Sequence, residues 1–391
     1  MYKKKAAQEK SLIRTKRAGH LFEKICDLNN IKAAILNASK KKRRQKCVRK
    51  ILKDLDAYAK RIQKMLISQS YRPSKYITRI INDGIRQKKR NIAKPRFYPD
   101  QCIHHALIQA VEPCFMKGMY YYCCGSVTGR GDKRIRKAIR RWIRKKPGKS
   151  KYVLKMDVHH FYESIDHNVL KKVLEKKIKD KRVLWLCSLI IDSYPQGIPI
   201  GNYTSQWFCN LFLEFLDHKI KEFLGKDYLY TRYIDDMVVI GPNKRKLHKA
   251  RKMVEAELAG VNLELKGNWQ VFRLKSTVPN LCRKEERTKD RPLDFLGIKF
   301  YRDGSMTIRK SVLRRVKRKA NKIKSLGSNI SPRNASGMMA YMGRIHYSDS
   351  ENLFRSYIGP RIGSTRKLRR IISHDAKLRQ KAEGNLVRSA A

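Results

Sequence analysis

The chain has 391 residues, enough for a substantial core and two or three subdomains, which excludes a small module held together by disulfides or zinc. Its 92 Lys and Arg stand against 33 Asp and Glu, and a formal charge of +59 makes a compact protein repel itself unless it works on a polyanion. The aromatic residues interleaved with those cations suit bases and sugars better than lipid headgroups, so nucleic acid is the expected partner and a membrane is not.

The nine cysteines form no CxxC pair and are expected to be reduced thiols. No secretory start and no apolar run near the roughly 20 residues of a bilayer span is present, and a cytoplasmic location is expected.

Residues 1–70 are basic and helical in pattern, with a cationic run over 40–44 placed to meet phosphate. The spacing of Ile51, Leu52, Leu55, Ala59, Ile62 and Leu66 predicts one amphipathic helix, which Pro73 ends. Residues 76–95 read as a basic β-hairpin turning at Asp83-Gly84. Asp100 is then placed to cap a helix carrying Ile103, Ala106, Leu107 and Ala110 inward. The adjacent His104 and His105 face different directions on such a helix, which fits packing or surface roles and not joint metal ligation.

A glycine-spaced loop over 125–131 precedes a basic amphipathic helix at 132–146, an arrangement that suits anions but is more often a plain turn. An apolar strand then ends in Asp157, followed by helices at 167–178 and 181–193. A Gly-, Pro- and Asn-containing loop from Gln196 leads into one long apolar helix that ends near Gly225.

Next comes Tyr230-Thr-Arg-Tyr-Ile-Asp-Asp-Met-Val-Val-Ile-Gly241, in which Asp235 and Asp236 interrupt strand-forming residues. Two neighbouring carboxylates there cost desolvation and repulsion unless a cation neutralises them. The segment predicts a hairpin, 230–234 up and 237–240 down, with both acids at its tip. Two strand-borne acid sites, Asp157 and Asp235-Asp236, suit a pair of hard cations of the kind that drive nucleotidyl transfer.

These segments together resemble the reverse transcriptases over roughly residues 75–350. Tyr233-Ile-Asp-Asp236 is similar to the family's Tyr-x-Asp-Asp motif, and Lys155-Met-Asp157-Val-His-His-Phe-Tyr162 to its first acidic motif. Arg90-Asn-Ile-Ala-Lys-Pro95 with Asp100, Gly129-Arg-Gly131 and Asp294-Phe-Leu-Gly297 match three others in the family's order. The resemblance is nearest to bacterial enzymes of the group II intron lineage. It implies an α+β right-hand polymerase fold: a basic helical extension over 1–70, fingers and a palm with a small antiparallel sheet over 71–305, and a helical thumb with a basic tail over 306–391.

The loop Ile200-Gly-Asn-Tyr-Thr-Ser-Gln206 looks like that of diversity-generating retroelement enzymes, which copy a template RNA into cDNA with errors at adenines and work with a small basic accessory protein. Most relatives place Gln-Gly-x-x-x-Ser-Pro there. Some antiviral-defence enzymes carry related loops, so a defence or intron-type enzyme is the alternative, and a non-catalytic RNA-binding, maturase-like protein is a further one.

For the residues, the resemblance implies that Asp157 and Asp235 hold two Mg2+ ions, with Mn2+ able to replace them, that the Val158 carbonyl completes the oxygen shell, and that Asp236 tunes the site. Lys88 or Lys89, together with Arg90, would lie over the triphosphate of the incoming dNTP. Tyr162 falls where relatives carry an aromatic gate against the 2′-hydroxyl, while Ile200, Gly201 and Gln206 would border the nascent pair of template RNA and cDNA. The family's Lys-Thr pair is replaced, Trp269 standing where the lysine is usual, so Lys266 is the nearby candidate for a proton donor.

Overall fold

The computed structural model describes residues 17–83, 88–278 and 290–388, with side chains described for 17–81, 91–278 and 290–378. The chain forms two compact units, one of residues 1–135 and 154–271 and one of residues 136–153 and 272–391.

The first unit begins with α1 (Leu21–Cys26), α2 (Leu28–Ser39), α3 (Lys46–Lys53) and α4 (Leu55–Ile67). In α2 the residues Ile31, Ala34, Ile35 and Ala38 recur at helical spacing and are buried, so its apolar stripe packs on α4 and on α5 (Cys102–Gly118). The single helix expected over 51–66 is two helices. Asp54 breaks it with φ −127° and ψ 57°, and its side chain accepts the Ala57 amide as the cap of α4. The apolar spacing persists across the break, which is why periodicity alone did not reveal it.

The basic hairpin is present: β1 (Ile77–Asp83) pairs antiparallel with β2 (Lys88–Lys94). Its expected turn falls on Gly84, outside the described residues. Asp100 is not a helix cap. It is buried, accepting the Tyr71 hydroxyl at 2.9 Å and the Ser74 amide at 3.3 Å, and so ties the chain after α4 to the start of α5. His104 is buried and the His105 ring stacks on Tyr203 at 4.0 Å, in keeping with packing roles.

After α6 (Asp132–Lys145) comes β3 (Tyr152–Met156), then α7 (Phe161–Ser164), α8 (His167–Glu175) and α9 (Lys181–Asp192). The long apolar helix also proves to be two, α10 (Tyr203–Phe212) and α11 (Glu214–Leu224), with Leu213 out of helical geometry at φ −97° and ψ 7°. Gly225 ends α11 at φ 72°, a conformation that glycine adopts without penalty.

The hairpin β4 (Leu229–Tyr233) and β5 (Asp236–Gly241) follows, then α12 (Lys244–Ala259) and β6 (Gln270–Arg273). The strands order as β4-β5-β3-β6 in one sheet. Met237, Val238, Val239 and Ile240 are all buried, so β5 is covered on both faces, as its unbroken apolar run requires.

In the second unit β7 (Leu293–Phe295), β8 (Ile298–Phe300) and β9 (Met306–Ile308) form an antiparallel meander. Leu296 and Gly297, at φ 49° and 81°, make the two-residue turn between the first two strands. Longer basic helices follow, α13 (Lys310–Leu326), α14 (Pro332–His346) and α15 (Thr365–Arg388), with α14 packed against both others and short helical turns over 351–362 between α14 and α15. Ser331 caps α14 and Pro332 occupies its first turn.

Candidate active site

The acids converge because β3 and β5 are neighbours in the sheet, Asp157 following the last residue of β3 and Asp236 being the first of β5. Asp157 immediately follows β3, and the hairpin turn between β4 and β5 consists of Ile234 and Asp235, since Tyr233 pairs with Asp236. The two acids are therefore not both at the tip. Asp235 sits in the turn, and Asp236 is the first residue of β5, where its carboxylate lies 3.9 Å from the Lys155 ammonium on β3.

Asp235 and Asp157 face each other. Burial, then the charge of Asp157 and a side-chain hydrogen bond with it, push the Asp235 carboxyl up to about 7. Lys266 reaches the pair from the loop after α12, its ammonium 3.2 Å from Asp157 Oδ2. Among the described residues no three or more His, Cys, Asp and Glu side chains form a ready-made metal cage. Two opposed carboxylates with one lysine beside them nonetheless fit a hard divalent cation, which Mg2+ in particular takes through one or two carboxylates plus substrate oxygens. The Trp269 ring lies under the Arg251 guanidinium at 4.5 Å and edge-on to His248.

The loop before α10 gathers other expected residues. Gly197 passes so close to the backbone of Tyr162 and Glu163 that a side chain there would collide, and the Ile198 amide donates to the Tyr162 carbonyl at 2.8 Å. Tyr162 is half-buried, and a side-chain hydrogen bond joins it to the buried Cys209. Gly201 abuts the backbone of Ala93 and Lys94 on β2, with no room for a Cβ. Ile200 beside it is half-buried, in the loop that runs from the Tyr162 segment to the β1–β2 hairpin. Lys88, Lys89 and Arg90 occupy β2 opposite Asp83, Asn82 and Ile81, and their side chains lie outside the described residues. Gln206 is half-buried in the first turns of α10, where its carbonyl accepts from Asn210. Val158 is buried, and its segment bridges to Leu265.

Arg130 of the glycine-spaced loop donates to the Tyr120 carbonyl at 2.7 Å and so ties the loop to the segment before it.

Sequence reasoning missed the polar network beneath the hairpin. Arg232 and Asp217 are wholly buried, paired through Nε–Oδ1 at 2.7 Å and Nη2–Oδ2 at 2.5 Å, and Tyr230 donates its hydroxyl to the same Oδ1 at 2.7 Å. The signal was present: an arginine inside an apolar strand-forming run needs a buried acid, and Asp217 stands in an equally apolar helix.

The reverse transcriptase (RNA-dependent DNA polymerase) family matches residues 40–300, two-thirds of the chain, and those residues include every acid of the site. The chain belongs to the reverse transcriptase family. No curated protein sequence matches it. Among solved structures it is similar to apo telomerase from Candida tropicalis truncated from its C-terminal domain, 14% identical over 62% of this chain and 58% of that one, with a TM-score of 0.45. It is also similar to telomerase from Candida albicans in complex with a fragment of telomeric RNA, 12% identical over 73% and 60%, with a TM-score of 0.45. This reverse transcriptase chain thus spans 58% and 60% of the length of those two structures.

The second unit of this family member carries a cavity of about 630 Å³ between α13 and α14, lined by Arg315, Arg318, Lys319, Lys322, Tyr341 and Arg344 among others. Five cations in one recess suit phosphate oxygens. Among the described residues no helix is long and apolar enough to cross a membrane, and the cysteines are free thiols.

Proposed function

We propose that the protein is an RNA-directed DNA polymerase that copies a template RNA into cDNA, and that the opposed carboxylates of Asp157 and Asp235 are its catalytic centre. The observation that carries this reading is that pairing: an acid after β3 and an acid in the β4–β5 turn brought to one point inside the family's matched region, at a cost in repulsion that a bound cation would relieve.

Asp157 and Asp235 would hold the divalent ions, two Mg2+ with Mn2+ as a substitute, and the Val158 carbonyl would add a neutral oxygen. When bound, such ions lower the pKa of a primer 3′-hydroxyl and neutralise charge on the departing pyrophosphate. The chain's own residues would do the rest. Asp236, paired with Lys155, adds negative potential without leaving its strand. Lys266 stands where it could return a proton to the leaving group. Tyr162 presents a ring held at its far end by Cys209, a rigid wall suited to excluding a 2′-hydroxyl. Lys88, Lys89 and Arg90 on the fingers hairpin would take the triphosphate of the dNTP, Arg90 as a planar fork. The cation-lined recess of the second unit would take the backbone of the RNA template or of the RNA–cDNA hybrid.

Within the family we infer the error-prone enzyme of a diversity-generating retroelement. The supporting feature is Ile200, an apolar residue where a hydrogen-bonding Gln is commoner, next to Gly201, which abuts β2.

The deciding experiment is primer extension on an RNA template with Mg2+, comparing wild type with Asp235→Asn. Wild type extends, and the variant does not while retaining RNA binding within a few-fold, because one carboxylate contributes little to a field of +59. Equal extension by both proteins would remove Asp235 from the site.

A further inference from the structure

The turn that carries Asp235 is gripped from two sides. Ile234 has φ +59°, a conformation that β-branched residues avoid, at the first central position of a two-residue hairpin turn where glycine is usual. Something must hold it there.

From one side, Arg232 donates Nη1–H to the Ile234 carbonyl at 2.8 Å. Its other bonds leave the guanidinium no freedom: Nε to Asp217 Oδ1, Nη2 to Asp217 Oδ2 and to the Asn210 carbonyl at 3.1 Å, and Nη1 to Asn210 Oδ1 at 3.3 Å. Five donor hydrogens meet five acceptor positions, which uses the full capacity of an arginine and exceeds that of a lysine. From the other side, Gly125 lies against the Ile234 amide, where an added Cβ would come within 2.6 Å of that nitrogen and 3.2 Å of the Tyr233 carbonyl carbon. Asn210 joins the two sides, because its Nδ2 also donates to the Gly125 carbonyl at 2.7 Å.

We propose that Arg232 is a positioning residue for the acidic turn: held by Asp217 and Asn210, it fixes the Ile234 carbonyl and so sets where the Asp235 carboxylate stands opposite Asp157, and with that how tightly the pair takes a divalent cation. The proposal rests on the reading of Asp157 and Asp235 as metal donors. A buried ion pair is a poor source of net stability, since desolvation offsets much of its attraction, whereas a guanidinium saturated in a fixed plane is a good source of geometry.

The test is Mn2+ binding to the protein without nucleic acid, followed by electron paramagnetic resonance of the free ion, alongside urea unfolding. The proteins are wild type, Asp235→Asn, Arg232→Lys, the double variant Arg232→Met with Asp217→Leu, and Gly125→Ala. Asp235→Asn loses the tight site. Arg232→Lys and the double variant bind Mn2+ about ten-fold more weakly, the low end of what loss of a supporting shell costs. The double variant leaves no uncompensated charge buried but unpairs the Tyr230 hydroxyl and the Asn210 and Ile234 carbonyls, so its urea midpoint falls while unfolding stays cooperative. In primer extension its half-saturating metal concentration rises by the same factor, while the dNTP KM at saturating metal is unchanged.

A folded Arg232 variant with wild-type Mn2+ affinity overturns the proposal. If neither Arg232 variant folds, Gly125→Ala decides from the opposite side of the turn: weakened binding supports the grip, and wild-type affinity overturns it. Equal binding by wild type and Asp235→Asn would dismiss the metal reading itself, and the proposal with it.

Discussion

Lys266 is joined to Asp157 twice: its ammonium lies 3.2 Å from Oδ2, and its backbone amide donates to the Asp157 carbonyl at 2.8 Å. The backbone bond places the lysine, and the side chain then competes with any cation for the carboxylate. Lys266→Met should cost the metal-free protein under about 1 kcal/mol, as expected of a partly exposed pair. It should also enlarge the rise in melting temperature on adding Mn2+, because the cation no longer displaces an ammonium. With saturating metal, turnover should fall about a hundredfold if this lysine is the proton donor. Single-turnover extension measures that loss, and an unchanged rate would assign the proton to another group.

Tyr162→Ala should admit ribonucleotides. The backbone bond from Ile198 to the Tyr162 carbonyl is independent of the side chain, so the substitution removes the ring that Cys209 anchors and keeps that backbone bond. Competition between rNTP and dNTP in primer extension reads the effect. An unchanged preference would place the gate elsewhere.

Ile200→Gln should lower misincorporation opposite template adenine more than opposite other bases. A glutamine there adds a geometry-sensitive hydrogen bond of about 1–2 kcal/mol, which sharpens selection about five- to thirty-fold. Sequencing cDNA made by both proteins from one RNA gives the comparison. A wild-type protein already accurate at adenine would favour the defence-type alternative.

His104 predicts a loss of stability in mild acid. Burial and the neighbouring His105 push its imidazole down to about 3, its Nδ1 has no hydrogen-bond partner, and His105 is pushed down to about 4. Because both folded values lie below the unfolded one near 6.5, the unfolded chain takes up protons first. Stability is complete above about pH 6.5 and falls by about 1.4 kcal/mol per pH unit for each histidine as the pH drops below it. His104→Leu should therefore remove about 2 kcal/mol of the difference between urea unfolding at pH ~7 and at pH ~5. An unaltered difference would show that His104 is protonated in the folded protein.

Much of this site was legible in the residues themselves. An apolar strand ending in Asp157 and two acids inside the run from Tyr230 to Gly241 act locally, through desolvation and strand propensity, and they pointed to the acids that the fold brings together and to the strands beside them. Periodicity also found β1, β2 and the basic helices, because a buried face repeats every two or 3.6 residues wherever it packs.

What periodicity cannot express is which partner a side chain meets across the fold. Breaks at Asp54 and Leu213 left the apolar spacing intact, and Asp100 found Tyr71 instead of a helix end. The division of labour between the acids was likewise tertiary. Register put Asp235 in the turn opposite Asp157 and set Asp236 beside Lys155 on the neighbouring strand. The arginine that holds the turn could be recognised as costly from its apolar surroundings, yet only the packing of α10 and α11 beneath β4 supplied Asn210 and Asp217 to satisfy it. A buried charge states that a partner exists, and the geometry of the folded chain decides which one.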